Sequence, residues 1–216
     1  MFEFDEDTRT RAIAPGTWSA QLSDRWGIGM VPNGGYVLAV ATNAIRAALP
    51  DLDPLTVTAH FLRPASPGEA RVEVEVVKEG RRFSTASARL VQASGEVIRV
   101  LGTWGRIERT GKPLHVAGEP PALPPRESLA TAWGAGSGDS GPFSEGPPMT
   151  IRDRFEVRFD PATDGFLRGE RGTRAEVRAW LRFADGRPAD VHSLPLVADA
   201  LPPPALHLVP PGWLPT

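Results

Sequence analysis

Residues 33–50, NGGYVLAVATNAIRAALP, decide the fold. Asn33 has the side chain of a helix N-cap, able to accept from a backbone N–H one turn on. The residues after it are almost wholly apolar through Val40, and the first charge comes only at Arg46. A helix that is apolar over most of its faces has to be buried. Pro50 then stops it. The stretch therefore predicts a central helix over residues 34–49, enclosed by something else.

The residues downstream supply the enclosure. Residues 55–62 (LTVTAHFL), 71–77 (RVEVEVV), 83–91 (FSTASARLV) and 97–104 (VIRVLGTW) are strand-like runs rich in β-branched or aromatic side chains. Turn residues separate them: Pro64 to Gly68, Glu79-Gly80 and Ser94-Gly95. Short connections between consecutive strands predict an antiparallel meander. Upstream, Trp18, Ala20 and Leu22 alternate with polar residues as in a half-buried strand. The expected unit, residues 1–108, is α+β: one apolar helix wrapped by a curved antiparallel sheet.

Residues 109–150 lose this periodicity. They include GAGSGDSGPFSEGPP at 134–148 and read as an irregular linker, loop-like over 134–147, with Trp133 and Phe143 as its local anchors. A second unit begins at 151. Residues 155–159 (FEVRF) and 174–183 (RAEVRAWLRF) alternate, and Asp190 and Ser193 precede a short apolar helix candidate, LPLVADAL at 194–201, closed by Pro202 to Pro204. This repeats the strand-then-helix opening of the first unit. About a dozen residues follow that helix, where four strands follow the first one. Three explanations stand: a fragment, strands supplied by a partner chain, or one sheet covering both helices. The first is the expectation adopted, with the second unit, 151–216, incomplete.

Composition narrows the chemistry. The chain is 41% hydrophobic and 23% charged, ordinary for a globular protein. A net charge of -2 gives no electrostatic footprint for nucleic acid or an anionic membrane. Lysine occurs only at Lys78 and Lys112, and abundant Arg, Ala, Gly and Pro suggest a GC-rich bacterial source. The absence of cysteine excludes disulfides and a thiol nucleophile. The four histidines show no metal-ligand spacing, and neither a G-x-S-x-G elbow nor a G-x-G-x-x-G loop is present. The N-terminus has no apolar h-region and no run approaches a membrane span, so a cytoplasmic location is expected.

The segments MVPNGGYVLAVATNAIRAALP, TVTAHFLRPASPGEARVEVEVVKEGRRFSTASARLVQASGEVI and VHSLPLVADALPPP resemble the acyl-CoA thioesterase family with a double hotdog fold, of the bacterial thioesterase II type. The resemblance implies two units, each a central helix wrapped by antiparallel sheet, and hydrolysis of an acyl-CoA without metal or organic cofactor. Acyl-CoA is the implied partner, and a homo-oligomer is expected. A catalytic aspartate of the family lies on the second helix, matching Asp199. The family's threonine or serine and its glutamine lie on later strands, which this sequence does not contain. A chain of these 216 residues is therefore expected to be nearly inactive by itself.

Candidate residues each carry two readings. Asn33, Gly34 and Gly35 open a helix whose N–H groups, uncovered by side chains, suit a developing oxyanion; alternatively the glycines let the helix pack closely on the sheet. Asp199 sits in an apolar run, as a base for water or as a surface residue of a short helix. Arg82 and Ser84 open a strand where CoA phosphates are one reading and a solvated turn the other. His60 and His192 read as structural. Rival functions are a hotdog enoyl-thioester hydratase and a non-catalytic acyl-thioester-binding or assembly subunit.

Overall fold

The structure is a computed structural model that describes residues 1–107, 115–134 and 148–209. In chain order the main elements are α1 (Glu3–Asp7), β1 (Thr10–Ala14), β2 (Thr17–Leu22), β3 (Gly27–Ile28), β4 (Val31–Pro32) and α2 (Gly34–Ala48). These are followed by β5 (Asp53–Phe61), β6 (Gly68–Lys78), β7 (Phe83–Gln92), β8 (Gly95–Gly105), β9 (Phe155–Phe159), β10 (Ala179–Phe183) and α3 (Leu194–Val197).

Alternation fixes the sheet around α2. Trp18, Ala20 and Leu22 of β2 are buried, as are Ala70 and Val72 of β6, Ala86, Ala88 and Leu90 of β7, and Ile98 and Val100 of β8. They meet Tyr36, Val37, Val40, Ala41, Ala44 and Ile45 of α2, each at most 2% exposed. The opposite sheet face carries ion pairs, with Glu73 bridging Arg71 and Arg89 and Glu96 pairing with Arg99, beside exposed apolar residues such as Leu101.

The meander holds for β6, β7 and β8 only. The sheet order is β1-β2-β6-β7-β8-β5, so β5 lies outside β8 rather than beside β6. The reason is that β2, arriving before the helix, takes the place along β6 in register Trp18↔Val72. The chain leaving α2 must then descend on the far side, where β5 pairs Phe61↔Ile98 and Asp53↔Gly105.

Among the described residues, the second half of the chain holds less strand than its sequence pattern suggests. β9 and β10 form a hairpin paired Phe155↔Phe183, and residues 174–178, expected as strand, are not. Trp133 adds a bridge to Val157 and packs edge-on against Phe159 at 5.6 Å. Within the expected loop 134–147, only Gly134 lies among the described residues, and Phe143 lies outside them. Leu194–Val197 is a single helical turn, shorter than the expected 194–201, and Asp199 lies in the turn that follows it, where its N–H donates to Leu196 O at 3.1 Å.

A buried arginine joins α1 to this second unit. Arg187, 8% exposed, donates to Asp5 Oδ1 at 2.8 Å and Asp190 Oδ2 at 2.9 Å. Its guanidinium lies 4.8 Å from the centre of the Phe4 ring and 5.4 Å from that of Phe183. Burial opposes its charge, and the carboxylates of Asp190 and Asp5 more than offset that, raising its pKa. Arg187→Ala is expected to destabilise by about 2 kcal/mol. That is below the 3–5 typical of a fully buried pair, because both acids stay partly hydrated when left alone. A urea-unfolding midpoint unchanged from wild type would contradict this.

Candidate active site

The site starts from the cap of α2. Asn33 Oδ1 accepts from Tyr36 N–H at 3.0 Å, as its position predicts. Tyr36 is itself held through its hydroxyl, which donates to Asp7 O at 2.8 Å and accepts from Ser23 N–H at 3.0 Å. With its oxygen committed to the cap, the Asn33 amide can only turn its NH2 outward. That group meets Asp199.

Asn33 Nδ2 donates to Asp199 Oδ2 at 2.9 Å and to Asp199 O at 3.1 Å. Gly35 N–H donates to the same Oδ2 at 2.9 Å. The two helix regions, more than 160 residues apart in sequence, thus converge on one carboxylate oxygen. Asn33 and Gly35 are buried, whereas Asp199 is exposed. Among the described residues none donates to Asp199 Oδ1, so that oxygen is left for water.

This changes the expectation for the glycines in two ways. The Gly35 N–H is not uncovered: it is the partner of Asp199. The close packing that Gly35 permits is against the second unit rather than against the sheet. A Cβ there would lie 2.5 Å from Pro195 O, 2.8 Å from Asp199 Cβ and 2.9 Å from Leu196 Cα. Only glycine lets α3 come this near. At Gly34 a Cβ would meet Asp199 Oδ2 at 3.1 Å and the Phe61 ring at 3.1 and 3.2 Å.

The position of Asp199 is set by a turn built on Asp190. Asp190 Oδ1 accepts from His192 N–H at 3.1 Å and Ser193 N–H at 2.9 Å, and Ser193 Oγ donates to Asp190 O at 2.9 Å. Asp190 thus closes the turn that leads into α3, whose N-cap, Ser193, makes no side-chain cap bond. Burial pushes its carboxyl pKa up, but Arg187 and the Ser193 N–H outweigh this and hold it below the usual value. A folded-state value below the unfolded one adds stability that is present above about pH 4 and is lost as pH falls through the folded value. Unfolding midpoints of wild type and Asp190→Asn are thus expected to differ at pH 7 and to converge below about pH 4. A gap that persists in acid would defeat this. The gap itself is modest, since the Asp190 side chain is 37% exposed.

Arg82 and Ser84 are elsewhere. Phe83, between them, pairs with Gly105, which pairs with Asp53 at the start of β5. Phe61, beside Gly34, is eight residues along that strand, about 26 Å away. Ser84 is buried and accepts from Gly80 N–H at 3.3 Å, closing the turn. Arg82 is exposed. The structure therefore brings Asn33, Gly34, Gly35 and Asp199 together and leaves Arg82 and Ser84 at the other end of the sheet. Phe61 is the neighbour that residue types alone did not single out. Its signal was a large aromatic at the end of a strand next to polar breaks. Among the described residues no group of three or more His, Asp or Glu is placed to hold a metal ion. No helix of the described residues is long and apolar enough to cross a membrane.

Comparison with known proteins finds two family matches, the second of which begins inside the segment expected as a linker. Residues 22–105 match the acyl-CoA thioesterase N-terminal domain and residues 120–216 the acyl-CoA thioesterase C-terminal domain. An uncharacterised protein of Mycobacterium tuberculosis is 32% identical over 97 residues, which are 42% of this chain and 33% of that protein. The thioesterase-like protein TwmA of Talaromyces wortmannii is 28% identical, over 92% of this chain and 62% of its own length. A crystal structure of a Thermobifida fusca YX protein assigned as a thioesterase II superposes with a TM-score of 0.83. That match has 26% identity and covers 97% of this chain and 75% of the other. The chain thus spans a third of the first curated relative and under two thirds of the second.

Proposed function

We propose that this chain, which belongs to the acyl-CoA thioesterase family with its hotdog fold, contributes to hydrolysis of an acyl-CoA to free acid and CoA. Thioesterase-like character follows from the family; acyl-CoA as the substrate is the reading offered. The observation that carries it is Asp199 Oδ2 held by Gly35 N–H and Asn33 Nδ2 at the start of a 15-residue helix.

The arrangement suits attack by water. Two donors fix Oδ2, so Oδ1 points to solvent in a defined direction and can accept a proton from a bound water. The water oxygen bonds to the thioester carbon, the carbonyl pair moves onto oxygen, and collapse expels CoA thiolate. The start of α2 carries partial positive charge, and the Gly34 N–H, without an acceptor among the described residues, is placed to meet the oxyanion. Arg82 and Ser84 remain proposed CoA contacts only if the nucleotide reaches along the sheet. The threonine or serine and the glutamine that the resemblance implies would complete the set from further strands. A homo-oligomer remains part of this proposal.

The test is release of CoA thiol from acyl-CoAs of short to long chain, followed with a chromogenic thiol reagent. The chain has no cysteine to interfere. The chain joined to strands that supply the threonine or serine and the glutamine is expected to release thiol. Release of none from any chain length would overturn the reading.

A further inference from the structure

Among the described residues, the site has an aromatic neighbour that is not part of the buried core. Phe61 ends β5 and is 55% exposed, and the following Leu62 is 52% exposed. Its backbone is fixed: it pairs with Ile98, and Leu62 N–H donates to Val97 O at 2.8 Å. Its ring is placed too. Cε1 and Cζ border the position that a Cβ of Gly34 would fill, and Asp199 Oδ2 borders the same position. Ring edge and carboxylate therefore face one another across a bare glycine, at the start of α2.

We propose that Phe61 is a substrate-positioning residue, the wall on which the first carbons of an apolar acyl chain lie. This rests on the acyl-CoA reading of the site. The argument is one of matching surfaces. A thioester carbonyl at the α2 start has two arms, the acyl chain and the pantetheine of CoA. Methylenes gain by leaving water against an aromatic face. Pantetheine amides lose hydrogen bonds to water there and gain none back from a ring. The arm that passes Phe61 is thus the acyl arm. The favoured class is acyl groups that are plain hydrocarbon at the carbons next to the carbonyl, rather than hydroxylated or carboxylated ones. Gly34 is then a specificity feature as well, because any side chain there would separate ring from carboxylate.

Binding to the protein, measured by calorimetry with S-hexyl-CoA, an unreactive thioether, and with CoA itself, separates the possibilities. Wild type is expected to bind S-hexyl-CoA more tightly than CoA. Phe61→Ala should weaken S-hexyl-CoA about 10-fold and leave CoA unchanged, with Phe61→Leu in between. The ring is exposed, so its removal leaves the core intact, and a melting curve for each variant checks this. Phe61→Ala that weakens both ligands equally, or neither, overturns the assignment of Phe61 while leaving the acyl-CoA reading in place. Wild type that binds neither ligand overturns the acyl-CoA reading, and the assignment falls with it.

Discussion

Gly35→Ala is expected to cost about 2–3 kcal/mol of stability and to lower the melting temperature by about 5–10 °C. Alanine is the better helix former by about 1 kcal/mol, so propensity alone predicts the opposite sign. Packing decides. The new methyl would stand 2.5 Å from Pro195 O and 2.9 Å from Leu196 Cα, and both are backbone atoms that no rotamer change can withdraw. α3 must move off α2 as a body. That movement stretches the Gly35–Asp199 hydrogen bond and, through it, the aim of Oδ1. Catalysis should therefore fall together with stability. Gly34→Ala is the informative control. Its methyl meets a carboxylate oxygen and the far edge of an exposed ring, both at the ends of side chains. It should leave the melting temperature within a few degrees of wild type. Equal melting temperatures for wild type and Gly35→Ala would show that the contact is not tight.

Much of the first unit was legible from its sequence because one signal set each element. The Asn33 cap, the apolar run and Pro50 bound α2 to within one residue, and alternation located β2 and β6 to β8. The place of β5 was not legible, since local pattern says which residues form a strand but not which edge remains open to it. That was decided by β2, which precedes the whole of α2 in the chain. In the second unit, residues 174–178 alternate like a strand yet are none, as they have no described partner strand and Arg178 instead pairs with Asp160 and Glu176. At the site, residue types drew attention to Asn33, the glycines and Asp199 separately. That one carboxylate oxygen serves both Asn33 and Gly35 is tertiary information, as is the Phe61 ring against Gly34. Arg82 and Ser84 looked equally eligible in sequence, because turn and ligand readings of an Arg-Phe-Ser opening share the same residue types.

Asp199→Asn is expected to slow thioester hydrolysis at least about 100-fold with little change in folding, since loss of a general base is typically worth 10²–10⁴ in rate. The hydrogen bonds explain why the substitution is clean. Both inward groups, Gly35 N–H and Asn33 Nδ2, are donors. An asparagine at 199 must therefore turn its carbonyl oxygen inward to accept from both, which keeps the shape of the cluster. Its NH2 is then left in the outward position of Oδ1. There it donates to the water that the carboxylate would have deprotonated, and the water loses its base. The inward bonds weaken as they lose the charge on the acceptor, at a cost of about 1 kcal/mol. Asp199→Ala would differ by leaving both donors without a partner and should melt lower than Asp199→Asn. The rates are measured by thiol release in the 216-residue chain alone and in the same chain joined to strands that carry the threonine or serine and the glutamine. The 216-residue chain alone is expected to turn over far more slowly, because the resemblance places two further polar groups on strands that these residues do not include. Full activity in the 216-residue chain would move the chemistry into the first unit, toward Gly34, Gly35 and His60. Unchanged turnover in Asp199→Asn would remove Asp199 from the mechanism and leave its two hydrogen bonds as a purely structural clasp between α2 and α3.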